Sequence, residues 1–285
     1  MSTFDDYKGQ KPAWCPGCGN FAILNTLKRA LVELEMEPHQ FTIVSGIGQG
    51  AKLPHYTQCN TFNGLHGRTL PVATGLALAN HEMTVIAVAG DGDCYGEGGN
   101  HLLHAIRRNV NVTLFVHNNQ VYGLTKGQAS PTTGEGFASK TQPFGNPSEP
   151  LNPLALAISL DCGFVARGFA GASSLPRLKD LMKEAIRHEG FALLDILQNC
   201  VSFNKINTFH WYKDRVYPLE ETYDPFDRLT AFQRSLEWGD RIPTGIFYRN
   251  NRPNLTAHLP VLQSGPLAKK TFAPDDTAKE LQRFY

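Results

Sequence analysis

The sequence predicts an α/β fold, a parallel sheet with helices on both faces, on three observations. Short apolar, β-rich runs recur at residues 41–45, 84–89, 112–117 and 191–196. Segments with apolar residues at helical spacing separate them, and glycine-rich turns close the first two runs. Strands that alternate with helices in this way belong to parallel sheets covered on both sides.

Each element has its own justification. Between residues 20 and 35, Phe21, Ile23, Leu24, Leu27, Ala30, Leu31 and Leu34 recur at helical spacing. Residues 41–45 read as a buried strand that ends in Gly46-Ile47-Gly48-Gln49-Gly50. A helix over 70–81 leads to the strand 84–89, which Gly90-Asp91-Gly92 stops. A helix over 97–109 precedes the strand 112–117 and its polar turn. Farther on, 154–160 reads as helix, 163–167 as extended, 175–188 as helix and 191–196 as strand. Residues 126–153 hold Pro131, Pro143, Pro147, Pro150 and Pro153 and read as a loop. A loop of this length inside a compact domain is usually functional. After about residue 205 the alternation weakens. Pro253, Pro260, Pro266 and Pro274 mark an extended tail that needs a partner surface to lie on. The expected division is therefore a main domain over 1–205 and a C-terminal extension over 206–285.

Composition narrows the function. Lys and Arg number 27 against 26 Asp and Glu, so no basic excess exists to drive nucleic-acid binding. The apolar run at 84–89 is far shorter than the roughly 20 residues of a membrane span. The first ten residues are polar and carry acids, unlike a signal peptide. The expectation is a soluble, cytoplasmic protein. Six cysteines in 285 residues are too sparse for a disulfide scaffold. Cys94 and Cys162 read as small buried hydrophobes.

Two patterns carry chemistry. Gly90-Asp91-Gly92-Asp93 ends one strand, and Asn118-Asn119-Gln120-Val121 ends the next, with Asp91 and Asn119 28 residues apart. Ligands of parallel sheets gather at the carboxyl ends of strands, where both turns fall. The Asp91 carboxylate, the Asn119 amide oxygen and the Val121 carbonyl are three hard oxygens suited to Mg²⁺, while glycine N–H groups stay free for phosphate. Either turn alone is common; their conjunction is specific. The second pattern, Cys15-x-x-Cys18, puts two thiolates on one turn, as iron–sulfur, zinc and redox dithiol sites all do. One pair with distant single cysteines fits an iron–sulfur cluster better than a structural zinc, which usually shows two pairs.

The Gly-Asp-Gly to Asn-Asn arrangement resembles the thiamine-diphosphate motif. Further blocks resemble the β subunit of 2-oxoacid:ferredoxin oxidoreductases: Trp14-Cys15-Pro16-Gly17-Cys18-Gly19-Asn20, Gly46-Ile47-Gly48, His66-Gly67-Arg68, Thr74-Gly75, and Tyr122-Gly123-Leu124-Thr125-Lys126-Gly127-Gln128. So do Phe164-Val165-Ala166-Arg167-Gly168, Gln198-Asn199-Cys200 and Glu237-Trp238-Gly239-Asp240-Arg241-Ile242-Pro243. They run in family order over about residues 14–243.

The resemblance implies a thiamine-diphosphate-binding (PP-type) domain that also holds a 4Fe–4S cluster at 1–205, with 206–285 on a partner subunit. It places Mg²⁺ on Asp91, Asn119 and the Val121 carbonyl. It places the cofactor against Gly48, Gly90, Gly92, Asp93, Gly123 and Leu124, with His66 close by. Lys52 and Lys126 are expected to face the substrate carboxylate. Cys15, Cys18 and Cys200 match cluster ligands. The family's remaining cysteine directly follows Gly-Ile-Gly, where this chain has Gln49; Cys59, ten residues on, is the expected replacement.

The implied reaction converts a 2-oxoacid and CoA to acyl-CoA and CO₂ and passes electrons singly to ferredoxin. The second lysine favours 2-oxoglutarate ahead of pyruvate. The Glu that activates the pyrimidine ring is expected from an alpha subunit, in a dimer of heterodimers. The alternatives are a non-redox thiamine-dependent decarboxylase or ligase with structural cysteines, or a non-catalytic iron–sulfur or zinc scaffold.

Overall fold

The computed structural model describes residues 2–271 and 274–284. The strands are β1 (Phe41–Ser45), β2 (Asn60–Asn63), β3 (Thr84–Gly90), β4 (Val112–Asn118), β5 (Phe164–Phe169), β6 (Phe191–Leu197), β7 (Val216–Pro218) and β8 (Ile242–Arg249), with the four apolar runs at β1, β3, β4 and β6. The intervening helices are α1 (Gly19–Glu33), α2 (Thr69–Ala79), α3 (Gly99–Arg108), α4 (Pro153–Ser159), α5 (Leu175–Arg187), α6 (Phe209–Lys213), α7 (Arg228–Ser235) and α8 (Pro274–Leu281). All eight strands join one sheet in the order β2-β1-β3-β4-β6-β5-β8-β7. Only β5 and β8 pair antiparallel.

Unbroken apolar runs are what a sheet buried on both faces requires, because successive side chains point to opposite sides. In β3, Val85, Ala87 and Ala89 enter one core with Leu102 and Ile106 of α3 and Ala73 of α2. Ile86 and Val88 enter the other, against Leu27 and Leu31 of α1 and Met182 of α5. Among the described residues no helix is long and apolar enough to cross a membrane.

Three features differ from the sequence expectation. β2 is an exposed edge strand, so it buries nothing and leaves no apolar signature. Residues 92–97, given no element of their own from the sequence before the helix expected from residue 97, form a π-helical turn between β3 and α3. β7 and β8 lie beyond residue 205 yet extend the same sheet, so the stretch to Arg249 is part of the core architecture. The parallel strands align their carboxyl ends, and Gly46–Gly50, Asp91–Asp93, Asn119–Val121 and Gln198–Cys200 all follow such ends.

Candidate active site

Asp91 follows β3 directly and is 2% exposed. Its Oδ2 accepts hydrogen bonds from Ser130 Oγ at 2.5 Å and Thr132 Oγ1 at 2.8 Å. Burial raises its pKa to about 6, outweighing the hydrogen bonds from Ser130 and Thr132 that lower it. Thr132 Oγ1 also lies 3.0 Å from Asn118 Oδ1. Ser130 and Thr132 belong to the long proline-rich loop, which thus folds over Asp91. Neither residue was singled out from sequence; a hydroxyl in a loop gives no periodic signal.

After β4 the chain reverses at Gln120, a non-glycine residue with φ of 57°. Such a conformation persists only where surroundings hold it. Thr133 Oγ1 donates to the Gln120 carbonyl at 2.6 Å, and Tyr212 OH donates to its side chain at 3.3 Å. Asn119 Oδ1 accepts the Val121 N–H at 3.0 Å. The two expected metal ligands are thus locked to each other across the turn.

Asp93 has another task. Its carboxylate accepts the Gly67 N–H at 2.7 Å, the Ile47 N–H at 3.3 Å and Thr69 Oγ1 at 3.2 Å. It therefore ties the Gly46–Gly50 turn to the His66-Gly67 loop, although it lines the same cleft as Asp91. Burial raises its pKa as well, against those hydrogen bonds. Gly46 is obligatory here, because a Cβ on it would lie 2.1 Å from Asp93 Oδ2.

These turns enclose a cleft of about 470 Å³, solvent at its mouth included, within the size range of cofactor sites. Gly48, His66, Gly90, Asp91, Gly92, Asp93, Asn119, Val121, Gly123 and Leu124 all line it, together with Gln49, His117 and Tyr122. The His66 ring lies 6.1 Å from that of Tyr122, whose hydroxyl donates to the Gly92 carbonyl at 3.1 Å. His117, missed in the sequence, is fully buried; its Nδ1 meets Asn20 Oδ1 at 2.8 Å, and burial lowers its pKa to about 3. It is therefore a neutral imidazole. Lys52 sits on the 3₁₀ segment Gly50–Tyr56, and Lys126 is exposed on the turn past Thr125. Neither lysine lines the cleft.

The cysteines divide into two groups. Burial, with the neighbouring Cys200 and Cys15 thiols adding to it, raises the Cys18 thiol to about 11. The Cys18 N–H donates to the Cys15 carbonyl at 3.0 Å, Asn199 Nδ2 to the Gly17 carbonyl at 3.2 Å, and Ser202 Oγ to Cys15 Sγ at 3.2 Å. The Cys-x-x-Cys turn and the Cys200 loop are therefore knitted together beyond the carboxyl edge. Three thiols in reach of one another suit iron–sulfide ligation, although no three His, Cys, Asp or Glu among the described residues are placed to hold a single metal ion.

Cys59 does not join them. Residues 50–59 carry the chain back so that β2 can pair parallel to β1, with Asn60 opposite Thr42. Cys59 therefore lies at the amino edge, beside Ile43 and Lys28, where burial raises its thiol to about 12. Through the ladder from β1 to β6 it stands seven strand positions below Leu197, on the order of 20 Å along the strands. The expectation that Cys59 replaces the family cysteine is corrected on that ground: loop length permitted the reach, but parallel pairing took the chain the other way. Cys94 is 4% exposed in the core, and Cys162 is fully buried with its Sγ donating to the Phe164 and Phe191 carbonyls. Both are structural, as expected.

A parallel sheet with a buried Asp, a locked Asn-x-Val turn and a glycine-lined cleft at its carboxyl edge is the architecture of a thiamine-diphosphate enzyme domain. Residues 44–196 match the family described as thiamine pyrophosphate enzyme, C-terminal TPP binding domain. Residues 200–264 match the C-terminal family of the pyruvate ferredoxin oxidoreductase beta subunit. The 2-oxoacid:ferredoxin oxidoreductase subunit beta of Sulfolobus sp. is 47% identical over 250 residues, covering 83% of this chain and 81% of that one. A 2-oxoglutarate oxidoreductase subunit KorB of Mycobacterium tuberculosis is 45% identical over 195 residues, 68% of this chain and 52% of its own. Among solved structures, 2-oxoglutarate:ferredoxin oxidoreductase from Magnetococcus marinus, with 2-oxoglutarate, coenzyme A and succinyl-CoA bound, superposes with a TM-score of 0.90. It is 36% identical and covers 98% of this chain and 96% of its own.

The chain belongs to the beta subunits of the 2-oxoacid:ferredoxin oxidoreductases. That membership sets aside both the non-redox reading and the non-catalytic scaffold.

Proposed function

We propose that this chain carries the cofactor-binding half of an active site that interconverts a 2-oxoacid plus CoA with acyl-CoA plus CO₂. Electrons pass singly through a 4Fe–4S cluster to ferredoxin. The observation that carries the reading is Asp91, a buried carboxylate that lines the cleft with one oxygen held by two hydroxyls.

Asp91, Asn119 and the Val121 carbonyl would hold Mg²⁺, and the glycine-lined turns would hold the diphosphate. Thiamine diphosphate, when bound, supplies the carbanion chemistry of decarboxylation. The protein's own groups do the rest. Ser130 and Thr132 orient the metal-binding carboxylate, and Asp93 fixes the wall formed by residues 46–50. His66 and Tyr122 flank the cleft. Lys52 and Lys126, without hydrogen-bond or ion-pair partners for their ammonium groups among the described residues, are the cations assigned to the substrate carboxylates. The 2-oxoglutarate enzymes among the relatives support 2-oxoglutarate ahead of pyruvate.

The carboxylates lining the cleft among the described residues are Asp91 and Asp93, both already committed. The Glu that activates the pyrimidine ring then comes from an alpha subunit, consistent with a dimer of heterodimers. The cluster belongs to the loop pair of Cys15, Cys18 and Cys200.

Asp91→Ala tests the assignment. Purified variant should lose thiamine diphosphate and Mg²⁺ while keeping wild-type iron content. Undiminished cofactor content would overturn the metal site.

A further inference from the structure

The chain has six thiols, and the fold gives only three of them to the cluster loops. Cys94 and Cys162 are locked in the core, and Cys59 is held at the opposite edge of the sheet by the β1–β2 pairing. Bringing any of these to Cys15 would require dismantling a strand or its connection. A 4Fe–4S cluster has four irons to ligate.

The Gln49 turn is tied to the residue that precedes the Cys-x-x-Cys pair. Trp14, adjacent to Cys15, donates its Nε1 to the Gln49 carbonyl at 2.8 Å. The Gln49 side-chain oxygen is buried and has no hydrogen-bond partner. The same side chain borders the cofactor cleft, its Cγ 4.0 Å from where a Cβ on Gly123 would lie, so the turn stands between that cleft and the residue beside the cysteine pair. Beside it, His117 packs against Gly50, where an added Cβ would lie 2.9 Å from the imidazole Cβ. The turn is therefore fixed against β4 rather than free to swing away.

We propose that the cluster is site-differentiated: Cys15, Cys18 and Cys200 ligate three irons, and the fourth, with no other thiolate of this chain in reach, takes an oxygen ligand, from water or from the Gln49 turn that Trp14 ties to the cysteine pair. The inference rests on the iron–sulfur reading above. An oxygen is a weaker partner for iron–sulfide than a thiolate, so this iron is the one that leaves. One-electron oxidation by ferricyanide takes the 2+ core to 3+ and yields ferrocyanide. The 3+ core then releases Fe²⁺ and leaves a 3Fe–4S core at 1+, which balances charge and iron.

The test compares wild-type complex, Gln49→Cys and Cys59→Ala, purified without oxygen and treated with one equivalent of ferricyanide. Wild type and Cys59→Ala should each release one iron per cluster and show the electron-paramagnetic signal of a 3Fe–4S core. Gln49→Cys, with a fourth thiolate, should keep its iron and show no such signal. Broadening of the reduced wild-type signal in ¹⁷O-water would identify the oxygen as water's; an unbroadened signal would assign it to the Gln49 turn. A wild-type cluster as resistant as that of Gln49→Cys, or iron lost from Cys59→Ala as purified, would overturn the proposal while leaving the cluster reading intact. Absence of iron from all three proteins with thiamine diphosphate still bound would remove the cluster reading and this inference with it.

Discussion

Asp91→Asn should make the metal-free chain more stable at neutral pH while abolishing cofactor binding. The wild-type carboxyl is raised by burial from 3.8 to about 6. A rise of that size disfavours the ionised form by about 3 kcal/mol. The sign follows from linkage. Below about pH 4 the carboxyl is protonated in both folded and unfolded chains and imposes no penalty. Between about pH 4 and 6 the unfolded chain ionises first, so stability falls as pH rises. Above about pH 6 the folded chain carries the whole penalty.

The amide introduced by Asp91→Asn cannot ionise, and its oxygen can still accept from Ser130 and Thr132, so the substitution keeps the local hydrogen bonds. The variant should therefore gain roughly 2–3 kcal/mol over wild type at pH 8, and almost nothing at pH 4. For a chain of this size that corresponds to roughly 4–10 °C in Tm. The assay is thermal unfolding of chelator-treated protein across pH 4–8. Addition of Mg²⁺ and thiamine diphosphate should reverse the order, because a ligand at about 1,000 times its Kd stabilises wild type by about 4.1 kcal/mol and the variant not at all. A pH-independent difference, or a variant less stable than wild type at pH 8, would refute the reasoning.

Three more outcomes are expected. Thr132→Val removes a hydroxyl donor from Asp91 and should weaken Mg²⁺ binding about 10- to 100-fold, as loss of an outer partner of a metal ligand generally does; isothermal titration with Mg²⁺ checks this, and an unchanged Kd would contradict it. Gly46→Ala forces a Cβ to 2.1 Å from Asp93 Oδ2 and 2.6 Å from Thr69 Oγ1, so thiamine diphosphate content should collapse and Tm fall, by an overpacking loss of about 1–3 kcal/mol or more. Ser202→Ala removes the hydrogen bond to Cys15 Sγ; because donors to cluster sulfur favour the more negative reduced state, the cluster's potential in a spectroscopic redox titration should become more negative.

What was legible in the sequence follows from physical cause. β3 and β4 announce themselves because strands buried on both faces must be apolar throughout, and the turns after them fall at the one edge where parallel sheets bind ligands. The place of Asp91, Asn119 and Val121 in the lining of that cleft was therefore readable in advance. Asp93 was readable as part of the cleft but not in its task, since its partners are backbone N–H groups at Ile47 and Gly67. Ser130 and Thr132 were hidden because a loop hydroxyl becomes informative only once the loop folds over Asp91. β2 was hidden because an exposed edge strand buries nothing. That omission also accounts for Cys59: without β2, nothing in the spacing shows that the chain after Gln49 returns to the amino edge.

The central claim is that this chain contributes half of an active site, its cofactor cleft completed by a carboxylate from another subunit. Its most direct test is ferredoxin reduction by 2-oxoglutarate and CoA, measured without oxygen for the cofactor-loaded chain alone and after reconstitution with its alpha subunit. The account predicts no turnover by the chain alone, turnover by the reconstituted complex, and none when Asp91→Ala replaces wild type in that complex. Steady ferredoxin reduction by the isolated chain would contradict it.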